Sequence, residues 1–400
     1  MADHRVGRWY PAQAQDKACT LAQQVLQDDS LTLVSSDSYI EENRRTCYKQ
    51  TMLEAEMTDI VEGTRDERGE WQPKELPRSP IFRRPFNHRT FFAWLYTPPI
   101  DGHVFYVAKV AALAILVWYF LTPDLEQMRS LQAWPIALIF LRNVALLTIY
   151  VGRLHWRLYI RKKQGMKYKY TNKWPDTDNK KFLFNNQTWD NMFWSIVSGC
   201  VVWTAYEVFM LWGYANGALP QIDFRSSPVL FAAILLIHPL YHRAHFYFTH
   251  RLIHWKPLYR TVHHIHHRNT NFGPWSGLSM HPVEHLIFFS DMLIYLLVPG
   301  HPIILLFGLI RNAISPASGH AGFHRYIKKT RDGAERNAPT YLVWNRGADY
   351  FHHLHHRFFT VNFGSTDLPL DAWLGTSHDG SAEDHAAMME KRRRKRGRGN

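Results

Sequence analysis

Cysteine is scarce in this sequence: 400 residues contain only Cys19, Cys47 and Cys200. Three thiols support neither a disulfide framework nor a cysteine-based zinc site. So few cysteines also suggest that the functional parts face a reducing compartment. The first residues lack the apolar core of a cleaved signal peptide. We therefore expect any entry into a membrane to come from internal segments.

Acidic residues are also under-represented, with 34 against 47 basic residues and a net charge of +13. This balance suits a polyanionic partner, either a nucleic acid or the anionic face of a membrane. The hydrophobic fraction is 46%, yet the mean hydropathy is only −0.30. The chain should therefore have an apolar middle between polar ends, and that middle favours the membrane.

Four apolar segments approach the length that crosses the hydrocarbon core of a bilayer. They are residues 105–121, 134–151, 193–214 and 228–241. A further apolar segment, 286–310, contains Asp291 and Pro299-Gly300, which predicts a bent membrane insertion. Buried helices of a large soluble protein are the alternative. Four runs near span length with a consistent charge bias in their loops argue against it.

The loops between these segments predict how the chain is oriented. Residues 152–191 carry ten Lys and Arg, whereas 122–133 and 215–227 carry almost none. The positive-inside rule places the basic loop in the cytoplasm, together with the N-terminus, the histidine clusters and the C-terminus. We predict four parts: a polar extension (1–103), a transmembrane bundle (104–241), a histidine-rich domain with the insertion (242–380), and a basic tail (381–400).

Histidines are concentrated, with 18 of the 24 between His238 and His356. They form two H-x3-H and two H-x2-H-H clusters, and offsets of three and four share one helix face. An isolated pair is more often a core or surface feature, but four clusters in just over 100 residues predict metal binding. The set is too large for one tetrahedral zinc and suits two metals with open positions. The spacing alone does not name the metal.

Four stretches, HRLIHWKPLYRTVHHIHH, GPWSGLSMHPVEH, GHAGFH and FHHLHHRFFTVNFG, resemble the fatty acid hydroxylase/sterol desaturase superfamily. The closing PLDAWLGTSHDG resembles its sterol-desaturase-like branch, and the resemblance covers about residues 203–380. It implies an all-α integral membrane protein, capped by a cytosolic helical domain that holds two irons and uses O2. The ligand positions that it implies are His250, His254, His263, His266, His267, His320, His324, His352, His355 and His356.

Other histidines lie near these positions without matching the ligand pattern. We expect them to surround the ligands or line an interface; they are His238, His242, His245, His264 and His353. Two interpretations of the segment from His281 to Glu284 remain open. Glu284 orients a ligand ring through its N–H, or the segment starts a helix with Pro282 in the first turn.

The predicted function is O2-dependent hydroxylation or desaturation of a membrane lipid, with a sterol or related lipid favoured by the branch. A fatty-acyl or sphingolipid hydroxylase is the rival within the class. A histidine-rich metal transporter and an inactive zinc scaffold are rivals of other classes. The transporter would place its ligands at mid-membrane depth.

The sequence shows no dinucleotide fingerprint. The resemblance implies electrons from NAD(P)H, delivered by a reductase and a carrier such as cytochrome b5 or a ferredoxin. Four basic residues are candidates for docking that carrier or for facing lipid phosphates: Arg251, Lys256, Arg260 and Arg268. Four aromatic residues are candidates for a lipid entry path or for interfacial anchors: Trp255, Tyr259, Phe272 and Trp275.

The basic tail, residues 391–398, is interpreted as touching anionic lipid rather than nucleic acid. The host membrane is the endoplasmic reticulum in a eukaryote or the plasma membrane in a bacterium.

Overall fold

The structure is a computed structural model that describes residues 63–74, 85–96, 103–324, 326–329, 335–337 and 348–397. Most of the predicted N-terminal extension lies outside these residues. The four-part division of the chain therefore remains a prediction.

The described residues are mainly helical. The helices, in chain order, are α1 (His88–Tyr96), α2 (His103–Leu121), α3 (Ala133–His155), α4 (Gln187–Phe193), α5 (Val201–Ala215), α6 (Pro228–Ile253), α7 (Lys256–Leu258), α8 (His264–His267), α9 (Pro282–Phe289), α10 (Pro302–Gly319), α11 (Ala348–Phe358), α12 (Leu370–Trp373) and α13 (Ala382–Gly397). The described residues also form short 3-10 and π-helical segments and two antiparallel hairpins, β1 (Gly63–Arg65) with β2 (Trp71–Pro73) and β3 (Ile327–Lys329) with β4 (Glu335–Asn337). The predicted class, an all-α membrane protein, is confirmed.

Five helical stretches among the described residues are long and apolar enough to cross a membrane. They are His103–Leu121, Ala133–Ile160, Gln187–Ala215, Pro228–Ile253 and Pro302–Gly319. Four of them contain the predicted spans, each extended by a few residues or by whole turns. The extensions are more polar than the apolar runs.

The predicted insertion, 286–310, consists of the end of α9, a 3-10 segment (Ser290–Leu296) and the start of α10. The helical structure is interrupted around Gly300, whose backbone N–H donates to the carbonyl of Pro220. A side chain at Gly300 would lie 2.3 Å from the hydroxyl of Tyr214. Beyond this break α10 runs as a fifth long helix.

Helix α10 lies at the centre of the bundle, since 83% of its residues are buried. Ile304 to Phe307 are all fully buried, and α2, α3, α5 and α6 all pack against this helix. A helix that is apolar on every side is stable inside a bundle or in contact with lipid, and the burial of α10 places it inside the bundle.

A buried ion pair joins two of the spans. Arg142 of α3 lies 2.5 Å from Glu207 of α5, and both side chains are almost completely buried. Arg142 also donates to the carbonyl of Leu121 at the end of α2, and Asn143 donates to Glu207. The two charges that interrupt the apolar runs therefore compensate each other and tie three helices together.

Candidate metal centre

Four chain segments bring the histidine clusters to one place. His250 lies in the last turn of α6, and His254 follows as its C-cap. His263 ends a π-helical turn, Tyr259–His263, that leads directly into α8. His320 caps the C-terminus of α10, and α11 carries the last cluster. Irregular π turns frequently mark functional sites, and this one leads directly into the candidate ligands His266 and His267.

Nine of the ten predicted ligands fall into two groups. Within each group the candidate ligand atoms all lie within 4.8 Å of one another. The first group is His250, His254, His263, His267 and His355, and the second is His266, His320, His352 and His356. The H-x2-H-H clusters therefore divide, because His266 and His267, like His355 and His356, face different groups.

The imidazoles meet through their Nε2 atoms. In the first group the Nε2 atom of His254 lies 3.1 Å from those of His263 and His267, and 3.0 Å from that of His355. In the second group the Nε2 atom of His356 lies 3.2 Å from that of His266 and 3.1 Å from that of His352. Imidazole nitrogens bind zinc at about 2.0–2.1 Å, so the nitrogen atoms of neighbouring ligands on one ion of this size lie about 3 Å apart.

The hydrogen bonds of the opposite ring nitrogens decide which form these histidines take. The Nδ1 atoms of His250 and His355 lie 2.6 Å from the carbonyls of Phe363 and Val361. A carbonyl only accepts, so Nδ1 carries the proton and Nε2 of the neutral ring holds a lone pair. Lone pairs at about 3 Å repel one another unless a cation lies between them. The donor set therefore fits two transition-metal ions.

Burial keeps the rings neutral. It lowers the pKa of His254 to about 2 and that of His266 to about 3, with further lowering by neighbouring histidines. The pKa values of His267 and His356 also lie well below the usual range, first because of burial. At neutral pH the two groups are therefore ready to bind metal without losing protons.

Glu284 lies beside the first group. Its Oε1 atom is 2.8 Å from Nδ1 of His263, and burial raises the pKa of its carboxyl group. His281 caps α9 by accepting from the N–H of Val283, with Pro282 in the first turn. The structure thus contains both features that were proposed for this segment, a helix start and a carboxylate on a candidate ligand.

The other histidines have separate surroundings. His242 lies 2.7 Å from Asp291, His245 lies 2.9 Å from Ser290, and His238 lies 3.0 Å from the hydroxyl of Tyr295. These three contacts join α6 to the 3-10 segment inside the bundle. His264 is exposed. His353 is buried and stacks on Tyr170, with ring centroids 5.1 Å apart.

His324 is the predicted ligand that joins neither group. Its Nδ1 atom lies 3.4 Å from the hydroxyl of Tyr170, and its ring lies 6.5 Å from that of Trp71. Its ligand role remains a prediction.

Some residues at the site were not singled out in the sequence. His285 lies 2.8 Å from Ser198 through Nδ1 and 3.0 Å from the carbonyl of Leu278 through Nε2. Its spacing of four from His281 was a usable signal. The carbonyls of Val361 and Phe363 carry no sequence signal, because any residue supplies one.

The basic candidates for docking are not equivalent. Arg268 lies 2.5 and 2.6 Å from the two carboxylate oxygens of Asp190, so this pair already satisfies its charge. Lys256 and Arg260 are exposed on the turn that carries His254 and His263.

The aromatic candidates also differ from one another. Phe272 packs on His320 at 4.8 Å, and Tyr259 packs on His254 at 5.5 Å. Trp275 is buried, and Trp255 is 63% exposed.

Part of this chain is similar in sequence to known proteins. Residues 231–376 match the fatty acid hydroxylase family. Methylsterol monooxygenase 2-1 of Arabidopsis thaliana is 30% identical over 43% of this chain and 64% of its own length. Methylsterol monooxygenase 1 of Gallus gallus is 28% identical over 32% of this chain and 41% of its own. The Delta(7)-sterol-C5(6)-desaturase of Nicotiana tabacum is 28% identical over 40% of this chain and 55% of its own.

The chain thus spans less than two thirds of these relatives. No solved structure matches it. The chain is an integral membrane protein whose residues 231–376 resemble the fatty acid hydroxylase family. The predicted resemblance, including that to the sterol-desaturase-like branch, is confirmed.

Proposed function

We propose that this protein is a di-iron oxidoreductase that uses O2 to hydroxylate or desaturate a membrane lipid, with a sterol or related lipid as substrate. The observation that carries the proposal is the pair of adjacent histidine groups whose Nε2 lone pairs converge. The lipid-modifying family and the names of the relatives support the same class.

The nine grouped histidines would hold the metals, and His324 is kept as a tenth candidate. Bound there, two irons supply the reduction of O2 and the oxidation of an unactivated C–H bond. The chain supplies the geometry. The carbonyls of Phe363 and Val361 accept from the Nδ1 atoms of His250 and His355, so these two rings present Nε2 to their group, and Glu284 contacts Nδ1 of His263.

Aromatic side chains close the site against water. Phe246 stacks on His250 at 4.8 Å, Phe363 packs on His254 at 5.0 Å, and Phe359 packs on His267 at 5.0 Å. An apolar wall around the ligands suits an apolar substrate and excludes water from the oxidation.

The location of the two groups favours an enzyme over a metal transporter. His254 and His320 are the C-caps of α6 and α10, so the groups lie at the ends of candidate spans. A transporter is expected to bind its ion at mid-membrane depth.

Substrate and electron supply complete the proposal. The relatives' names include methylsterol monooxygenases and a sterol desaturase, which supports a sterol. Rice relatives named very-long-chain aldehyde decarbonylase keep a fatty-acyl or sphingolipid substrate as the alternative. We propose NAD(P)H as the electron source, through a reductase and cytochrome b5 or a ferredoxin, with Lys256 and Arg260 near the docking point. The site then lies on the cytoplasmic face of the endoplasmic reticulum membrane or of a bacterial plasma membrane.

The test is oxidation of lipid by iron-loaded protein in nanodiscs that contain a mixed sterol and acyl-lipid extract. With NAD(P)H, reductase and carrier present, we expect a lipid product that contains ¹⁸O from ¹⁸O2, or an alkene formed as O2 is consumed. His267→Ala should abolish the product. His264→Ala, which changes an exposed histidine nearby, should leave it unchanged. Metal uptake by sealed vesicles without O2 consumption would support the transporter instead.

A further inference from the structure

Helix α12 exposes a large apolar tip outside the candidate spans. Trp373 is 62% exposed and Leu374 is 45% exposed, and the chain turns away at Gly375 with a φ of +68°. Large apolar side chains that are exposed next to each other often mark a surface that contacts another protein or a membrane.

The segment that carries this tip packs along the last turns of α6. Asp367 forms a salt bridge with Arg243, and Ser365 accepts a hydrogen bond from the same guanidinium. The hydroxyl of Thr376 lies 3.2 Å from that of Tyr247. Since α6 is a candidate membrane span, the tip lies beside the end of a span.

The same end of α6 presents apolar side chains outward. Phe248 is 58% exposed, Leu252 is 55% exposed, and Trp255 follows at 63%. Positions 248 and 252 are spaced by four, so they share one face of the helix, and Trp255 follows just beyond the end of the helix. On a membrane span such a face contacts lipid, and a terminal Trp is typical of the interface.

A basic helix lies next to the tip. The ammonium of Lys391 on α13 donates to the carbonyl of Gly375, 3.3 Å away. Arg393 and Arg394 are exposed on the same helix. Basic residues beside an apolar tip are the combination that binds the surface of an anionic leaflet.

We propose that residues 370–375 and the basic residues 391–394 form an interfacial anchor, with Trp373 and Leu374 inserted into the leaflet and Lys391, Arg393 and Arg394 against anionic headgroups. The occupant of this surface is the bilayer that α6 crosses. The C-terminal segment is then partly membrane-embedded rather than wholly cytosolic.

The anchor is connected to the metal centre through a short stretch of backbone. The carboxylate of Asp371 accepts from the N–H groups of Phe363 and Gly364, at 2.8 and 2.7 Å. The carbonyl of Phe363 in turn accepts from Nδ1 of His250. The anchor therefore fixes the depth of the first histidine group relative to the lipid.

The test measures depth on the full-length protein in nanodiscs of anionic phospholipid. Leu374→Cys and, as a matched control, Ala386→Cys on α13 each carry a polarity-sensitive fluorophore, in a background of Cys19→Ser and Cys47→Ser. We expect the label at 374 to be quenched by lipid-borne nitroxides and shielded from aqueous iodide. The label at 386 should show the opposite pattern.

A second arm tests the basic residues. Lys391→Glu with Arg393→Glu should raise the iodide quenching of the label at 374 in anionic nanodiscs and leave it unchanged in zwitterionic ones. A label at 374 that iodide quenches freely and lipid nitroxide does not would overturn the proposal. Shielding from both quenchers that appears only with two copies per disc would also overturn it, in favour of a dimer contact.

Discussion

At the residue scale, the imidazoles are directed by the groups behind them. The positions of the histidine clusters could be predicted because spacings of three and four fix a shared helix face. Their division into two groups could not, because the direction of each ring depends on distant partners such as the carbonyl of Phe363 for His250. Glu284 could be suggested from its neighbours in the sequence, but its partner His263 is 21 residues away.

Replacing Glu284 should weaken metal binding. Its carboxylate holds Nδ1 of His263, and removing such a partner typically costs 10–100-fold in metal affinity. We expect Glu284→Ala to lose one metal to a chelator at concentrations that leave the wild type loaded. The metal retained by Glu284→Gln should lie between the values for Glu284→Ala and the wild type. The measurement is metal retained per chain during titration with a competing chelator. Equal retention in all three proteins would show that the contact does not support the site.

Lys169 should make the free energy of unfolding depend on pH in the mildly alkaline range. Its ammonium is completely buried, near Thr171 and Asn271, and burial lowers its pKa from 10.5 to about 7. Between these values the unfolded chain binds more protons than the folded one, so the free energy of unfolding should rise as the pH rises. Below about pH 7 both states are protonated, and this slope disappears.

The check is chemical unfolding in detergent at several pH values from 7 to 10. Lys169→Met should flatten the rise relative to the wild type. Lys163→Met, at an exposed lysine of the same loop, should keep the rise. A slope that survives in Lys169→Met would assign it to other groups.

At the element scale, the apolar runs predicted the existence of the spans better than their ends. The fourth run stops at Tyr241, yet α6 continues to Ile253, because polar residues such as His242 and Arg243 find Asp291 and Asp367 as partners. The central position of α10 was also hidden. Its apolar residues and Pro299-Gly300 are visible in the sequence, but the helices that surround it are not.

Removing one partner of the ion pair between α3 and α5 should destabilise the protein more than replacing both partners. Removing one partner leaves a charge buried without compensation, which typically costs about 3–5 kcal/mol. We expect Glu207→Ala to lower the thermal midpoint in detergent strongly. The double variant Arg142→Leu, Glu207→Leu should regain much of the loss.

The control is the exposed pair of Glu390 and Arg394 on α13. Glu390→Ala should change the free energy of unfolding by no more than about 0.5 kcal/mol. If Glu207→Ala proved as mild as this control, the pair would not hold the bundle together.

At the scale of the whole molecule, the bundle places the ends of two spans, the π turn after α6 and helix α11 around one volume. Sequence could predict the all-α membrane class and the region that holds the two histidine groups, because the motifs carry their own spacing. It could not predict the anchor on α12, because that surface exists only where residues 365–376 lie against α6. The substrate depends on the shape of the whole bundle and follows from no single motif.

The most direct test of the account is the metal content per chain of the detergent-purified protein, compared between variants of each histidine group. We expect two irons in the wild type and in His264→Ala, one in His254→Ala or His352→Ala, and none in the double variant of these two ligands. Folded wild-type protein with no metal above trace, or with a single ion lost equally in both single variants, would contradict the two-group centre.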